Sequence, residues 1–186
     1  MSLRFYGKAG VAGTIDTMVE LRAEGDQLYW SCGPFADDAA QSAIVPEKSG
    51  KLILGAFEVH YENNPFSFAV LLGEQPVLQT VPGGAIELGL VLDEVVEISA
   101  SLKLENEKLY GFGERYNRLN QRGEHIDQFV YNQYKDQGVR TYMPMPLFYT
   151  TSGYGMHMVT ESYSWFDIEK TKQGVLTLGV ESESMT

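Results

Sequence analysis

In Ile86-Glu87-Leu88-Gly89-Leu90-Val91-Leu92 every even position is apolar, and Val96, Ile98, Ala100, Leu102 and Leu104 alternate with Glu97, Ser99, Ser101 and Lys103. A period of two is the side-chain repeat of a strand that turns one face to a core and the other toward water. The same period recurs where Phe57, Val59 and Tyr61 alternate with Glu58 and His60, and where Leu176, Leu178 and Val180 alternate with Val175, Thr177 and Gly179. Further strands are expected at 15–22, 27–31, 66–72, 76–80, 145–150, 155–160 and 162–168. Residues that tolerate positive φ or preset a bend fall between the runs, at 24–27, 62–65, 81–84, 105–108 and 152–153. Short strands at this spacing predict an all-β chain, an antiparallel β-sandwich or barrel. The best helix candidate, around 37–43, is too short to alter that class. With 186 residues, one β-sandwich domain spanning 1–186 is the expectation.

Charge narrows the partners. Fourteen basic residues face twenty-five acidic ones, a formal net charge of −11. Binding to phosphates needs a basic face, so nucleic acid and anionic membrane surfaces are not expected partners. No apolar run has the eighteen or more residues of a membrane helix. The lone Cys32 excludes an internal disulfide framework and a cysteine-based zinc site. Residues 1–6 have no signal-peptide core, which together with the single cysteine favours a cytoplasmic location. Eleven Tyr and nine Phe against two Trp fit strands, buried interfaces or sugar-stacking surfaces.

Residues 105–145 form a long polar, aromatic stretch without clear periodicity, expected to be an ordered loop region and the place for function. Its Gly111-Phe112-Gly113-Glu114-Arg115-Tyr116 begins like a dinucleotide fingerprint, but Tyr116 replaces the third glycine and no helix pattern follows. The alternative is a tight turn whose glycines let backbone pass close to an aromatic. His125 and Asp127 offer two metal ligands without a completed set, so no metal is expected. Trp165-Phe166-Asp167-Ile168-Glu169 sets carboxylates beside aromatics. As a strand it would put Asp167 and Glu169 on one face and Phe166 and Ile168 on the other, which is ordinary half-buried patterning. Glu181-Ser182-Glu183-Ser184 reads as a solvated tail. No Gly-x-Ser-x-Gly elbow or Cys/His pairing around Cys32 is present, so no catalytic residue and no cofactor are assigned.

Leu109-Tyr110-Gly111-Phe112-Gly113-Glu114-Arg115-Tyr116-Asn117, then Asn120-Gln121-Arg122-Gly123, then Gln133 to Phe148 with its Met143-Pro144-Met145-Pro146-Leu147-Phe148 strand, then Ser152-Gly153-Tyr154-Gly155-Met156, form an ordered series. This series resembles the N-terminal domain of family 31 glycoside hydrolases, the α-glucosidase and α-xylosidase group. The match is specific over about residues 109–168. The resemblance implies a galactose-mutarotase-like antiparallel β-sandwich that precedes a catalytic (β/α)8 barrel in the same polypeptide. In the family a Trp-x-Asp-Met-Asn-Glu motif on that barrel carries the nucleophile of a retaining α-glycosidase. This sequence contains no such motif, and a barrel needs about 250 residues of its own. The expectation is an N-terminal domain cut from a longer enzyme and inactive alone, ending at 181–186 where the family continues toward its barrel.

The resemblance also implies that a loop of this domain reaches the sugar subsite next to the cleaved bond of an α-linked oligosaccharide. That loop maps to Tyr131, Asn132, Gln133, Tyr134 and Asp136. Asn132 fits the family's Asn, and Asp136 stands for its Asp only in a rearranged loop. Asn, Gln and Asp offer donors and acceptors to hydroxyls, and the tyrosines offer ring faces. Packing of the loop on the barrel is the alternative role. Glu114, Arg115 and Arg122 are expected to support the barrel interface, the two arginines pairing with Glu114, Glu124 or Asp127 or bonding backbone. Two other readings remain: a stand-alone carbohydrate-binding sandwich, and a mutarotase-like epimerase using His125 with Glu124 or Asp127. An unaccompanied sandwich would expose an apolar patch around 144–148 and an open sheet edge, so self-association is expected.

Overall fold

A computed structural model describes residues 2–9, 15–34, 49–63, 66–82, 86–92 and 94–186. Among them no helix forms, and every strand pairs antiparallel with its neighbours. The strands are β1 (Ser2–Ala9), β2 (Ile15–Glu24), β3 (Gln27–Pro34), β4 (Ser49–Leu54), β5 (Phe57–Asn63), β6 (Phe66–Leu72), β7 (Gln75–Gln79) and β8 (Ile86–Val91). They continue as β9 (Glu94–Lys103), β10 (Leu109–Gly113), β11 (His125–Gln128), β12 (Pro144–Thr150), β13 (Gly155–His157), β14 (Ser164–Ile168) and β15 (Val175–Val180). Four sheets result, ordered β1-β2-β3, β4-β5-β6-β7, β11-β14-β15-β9-β8 and β10-β12-β13.

The five-stranded sheet shows how the alternation folds. Register places Ile126, Phe166, Leu178, Ala100 and Ile86 in one cross-strand row. The neighbouring positions His125 and Asp127, Asp167 and Trp165, Thr177 and Gly179, and Ser101 and Ser99 fall on the opposite face. The apolar rows join Val19 and Leu21 of β2, Leu54, Val59, Phe68 and Val70 of the four-stranded meander, and Phe112 and Phe148 of the last sheet in one core cluster. Burial of such rows, at about 25 cal/mol per Å² of apolar surface, is the main force holding the layers together. This is the all-β sandwich expected from the periodicity.

Several expectations need correction. The 105–145 stretch is not one long loop, because β10 and β11 lie within it. The glycines of β10 read as a turn, and β11 has only Ile126 as an apolar residue, so neither shows a period of two. β1 and β4 were also not anticipated, and the strand expected at 155–160 ends at His157. The short helix candidate around 37–43 lies outside the described residues. The 181–184 tail is largely exposed, as expected, but Met185 after it is buried and exchanges backbone hydrogen bonds with Cys32 of β3, both at 2.9 Å. Next to it, Val159 N–H donates to the Thr186 carbonyl at 2.8 Å, so the last residues run between β3 and the strand end after β13.

Candidate functional site

The site is built on a distorted strand. Gly111, Phe112 and Gly113 all have positive φ, of 111°, 65° and 90°. The β10–β12 register slips between Gly111 and Gly113. A Cβ on Gly111 would lie 2.7 Å from the Leu147 carbonyl oxygen, and one on Gly113 only 2.0 Å from that of Met143. The glycines therefore permit close backbone approach, as expected, but in a β-bulge rather than a free turn. The bulge drives Phe112 into the core. There it stacks on Phe148 (centroids 5.2 Å) and meets Phe166 edge-on (5.1 Å).

Arg115 locks the chain that leaves this bulge. Its guanidinium donates to the Phe112 carbonyl through Nε (2.8 Å), to the Val139 carbonyl (2.5 Å) and to Gln128 Oε1 (3.4 Å). Burial lowers its pKa to about 10, an effect that nearby Asp127 partly opposes. Of the two expected roles it takes the backbone one, with no carboxylate among the described residues in salt-bridge contact. Arg122 does pair, but with none of the expected acids. It makes a two-pronged pair with Glu169 and donates to the carbonyls of Glu107 (2.8 Å) and Glu105 (2.5 Å). Glu124 is paired instead with Arg118 at 2.8 Å. Glu169 escaped the sequence reading because it was placed in strand β14. It lies just beyond, at φ 61°, and turns back to Arg122 and to the Gly174 N–H at 2.8 Å. Glu114 is exposed, and its hydrogen bond to the Tyr116 hydroxyl raises that phenol's pKa.

These acids make stability depend on pH. The Arg122 hydrogen bond holds Glu169 below the ordinary carboxylate range despite partial burial. Burial alone would raise Asp167, but hydrogen bonds from Thr171 and His125 outweigh it and leave it lowered. A lowered native pKa adds stability that is complete above the unfolded value, about 4, and is lost as pH falls through the native values. The thermal midpoint should stay level from about pH 7 to 5 and drop below about pH 4, and Glu169→Gln should flatten that acid limb. An identical limb in Glu169→Gln, measured by circular dichroism melts, would exclude Glu169 as a source.

The 129–142 loop folds around Gln133. Its Nε2 donates to the carbonyls of Lys135 (2.7 Å) and Asp136 (3.1 Å), and its Oε1 accepts from Arg140 (3.1 Å). Its carbonyl accepts from Gln137 Nε2 (2.6 Å) and from the Tyr142 hydroxyl. Tyr131 is half-buried, with Arg140 4.9 Å over its ring and Phe129 edge-on at 5.4 Å. Tyr131 N–H reaches the Thr141 carbonyl at 2.9 Å, closing the loop at its base. By contrast, Asn132, Tyr134 and Asp136 are exposed, Tyr134 at 87% and Asp136 at φ 54°. Their side chains carry no hydrogen bond to the other described residues. The five loop residues named from sequence thus separate into two holders, Tyr131 and Gln133, and three projecting groups. Arg140 and Tyr142, which fix Gln133, were missed because their role depends on the loop returning to its base.

Beside the loop, β12 and the residue just before it turn an apolar row outward. Met143, Met145, Leu147 and Tyr149 are all exposed, and Tyr110 packs on Tyr149 at 5.8 Å. The epimerase pairing fails on geometry. His125 touches Asp127 (3.5 Å), leaving no room for a sugar ring between acid and base, and Glu124 is tied to Arg118.

Comparison with known proteins agrees with this architecture. The sequence model of the glycosyl hydrolase 31 N-terminal galactose mutarotase-like domain matches residues 26–167. An isomaltosyltransferase of Sporosarcina globispora is 46% identical over 61 residues, covering 33% of this chain and 6% of that protein. A 1,3-alpha-isomaltosidase of Kribbella flavida is 44% identical over 68 residues, covering 33% of this chain and 9% of that protein. The cycloalternan-forming enzyme of Listeria monocytogenes, solved with a pentasaccharide substrate, superposes with a TM-score of 0.82 at 18% identity. That likeness, one of fold, covers 96% of this chain and 20% of the enzyme. The chain thus spans less than a tenth of these two relatives' length and a fifth of that structure's.

Proposed function

Because the chain belongs to the glycosyl hydrolase 31 N-terminal galactose mutarotase-like domain family, we propose that it is the supporting sandwich of a longer α-glycoside-processing enzyme. In this reading it is one domain over residues 1–186 and is inactive alone. It docks through the outer face of β12 on a (β/α)8 barrel in the same polypeptide. The observation that carries the reading is the exposed row of Met143, Met145, Leu147 and Tyr149 lying in sequence beside a loop whose Asn132, Tyr134 and Asp136 are exposed. An apolar sheet face of this kind calls for a partner surface. The loop then presents Asn132, Tyr134 and Asp136 to an α-linked oligosaccharide, while Tyr131 and Gln133 hold its shape. Glu114, Arg115 and Arg122 support the interface by fixing the bulge and the turns around it. The names of the relatives, an isomaltosyltransferase and an isomaltosidase, support α-linked glucosyl oligosaccharides as the substrate class.

Two measurements test this. The natural reading frame beyond codon 186 should continue for several hundred residues and encode a Trp-x-Asp-Met-Asn-Glu motif; a stop there would overturn the reading. The purified chain should show no α-glucosidase turnover and should self-associate through the uncovered face. In sedimentation velocity, Leu147→Glu with Met145→Glu should return it to monomer. A parent chain that is monomeric at every concentration would remove the docking face from the argument.

A further inference from the structure

Chemistry also gathers away from the loop, on the outer face of the five-stranded sheet. Two cross-strand rows traverse it: His125, Asp167, Thr177 and Ser101, and Asp127, Trp165, Gly179, Ser99 and Glu87. Neither row contains an aliphatic side chain. The outer row of β12 has the opposite composition, so the two faces suit different partners. Rows without aliphatic residues make a poor core for a protein interface.

One end of this face is organised in detail. The His125 ring stacks beside the Trp165 indole, with centroids 5.5 Å apart and planes at 23°. Its Nδ1 lies 3.4 Å from Asp167 Oδ2 and its Nε2 3.5 Å from Asp127 Oδ1. The Tyr163 hydroxyl donates to Asp127 at 2.5 Å. Thr171 donates to Asp167 through its N–H (3.0 Å) and its hydroxyl (2.6 Å). Both carboxylates are therefore held in place by protein donors, while the His125 and Asp127 side chains stay 43% and 34% exposed. The indole packs over Gly179, where a Cβ would fall 2.4 Å from the ring. Past it, the Ser101 and Thr177 hydroxyls are 3.1 Å apart and Ser99 is half-buried.

We propose that this face is a second carbohydrate-binding site, separate from the 131–136 loop, for a neutral oligosaccharide of α-linked glucosyl units. The proposal rests on the α-glycoside reading above for the class of sugar and on the sheet face for the site. An indole beside an imidazole offers an apolar surface to the C–H face of a pyranose. Asp127 retains acceptor capacity for adjacent hydroxyls, as a carboxylate with about four lone-pair sites does. The Ser99, Ser101 and Thr177 side chains continue the polar track. Strands lie about 4.8 Å apart, so the track from β11 to β8 is about 19 Å long, room for a short sugar chain. The carboxylates and the net charge of −11 select against phosphorylated or uronic sugars.

The test uses the full 186-residue chain. Trp30→Phe leaves Trp165 as the only indole. Titration with isomaltotriose, and separately with maltotriose, should give a saturable change in its emission at millimolar sugar. Asp127→Asn, which keeps the side chain's shape, should weaken binding about tenfold by removing a charged acceptor. His125→Ala should weaken it as well. Amide shift mapping of labelled chain should show changes at 125–127, 163–167, 177–179 and 99–101. Absence of any saturable change, or a change undiminished in Asp127→Asn, would overturn the proposal. Shifts confined to 131–136 would also overturn it while sparing the loop reading. The barrel reading stands or falls separately, on the reading frame and sedimentation.

Discussion

Gly113→Ala should cost at least about 3 kcal/mol of folding stability, although it adds only a methyl group. The added Cβ would sit 2.0 Å from the Met143 carbonyl oxygen and 2.8 Å from the Met145 nitrogen, both backbone atoms that cannot rotate away. The φ of 90° adds strain of its own for any L side chain. Gly138→Ala is the control. Its φ of 58° is also positive, but nothing lies within 4 Å of the added Cβ, so about 1 kcal/mol is expected. For a chain of this size a loss of 3 kcal/mol lowers the melting temperature by about 6–12 °C. Urea unfolding of both variants gives the comparison directly. Equal losses would mean that the β10–β12 bulge relaxes around the methyl group and that φ alone governs both sites.

Phe148→Ala should cost about 3–5 kcal/mol. Phe148 is fully buried and completes a triad with Phe112 and Phe166, at centroid distances of 5.2 and 5.9 Å. Phe112 and Phe148 come from the β10-β12-β13 sheet and Phe166 from the five-stranded one, so the triad fastens the layer carrying the loop to the layer behind it. Removing this ring leaves a cavity that neither rigid sheet can close. Phe148→Leu fills most of that space and should cost about 1 kcal/mol. The 129–142 loop should also loosen in Phe148→Ala, read as faster amide exchange at Tyr131, whose N–H is bonded to Thr141. A loss below about 1 kcal/mol in the alanine variant would show that the layers are held mainly elsewhere.

Legibility followed the period of two. β9 and β15 alternate cleanly because one face meets the core and the other is polar, and both were marked from sequence. β10 was hidden by the two glycines its bulge requires, which resemble turn residues unless the partner strand is known. β11 was hidden because two of its four side chains, His125 and Asp127, lie on the polar outer face. At the loop, sequence supplied the residues but not their division of labour. Gln133 becomes the centre only when Arg140 and Tyr142 return to it. The partner of Arg122 was out of reach for the same reason: Glu169 comes near only through the pairing of β11 with β14. Motifs revealed local identity, whereas hydrogen-bond partners depended on contacts between distant parts of the chain.

The bond between Cys32 and Met185 bears on how the protein is made. A ribosome delivers β3 long before Met185, so during synthesis the Cys32 N–H and C=O wait without that partner. Closing so long a loop is entropically slow, and sandwiches rich in such distant pairings fold among the slowest small domains. Nascent chains would therefore pass through a period when β3 can be captured by a neighbouring chain instead of its own segment. Yield in a fast expression host should be limited by this interval more than by the stability of the finished fold.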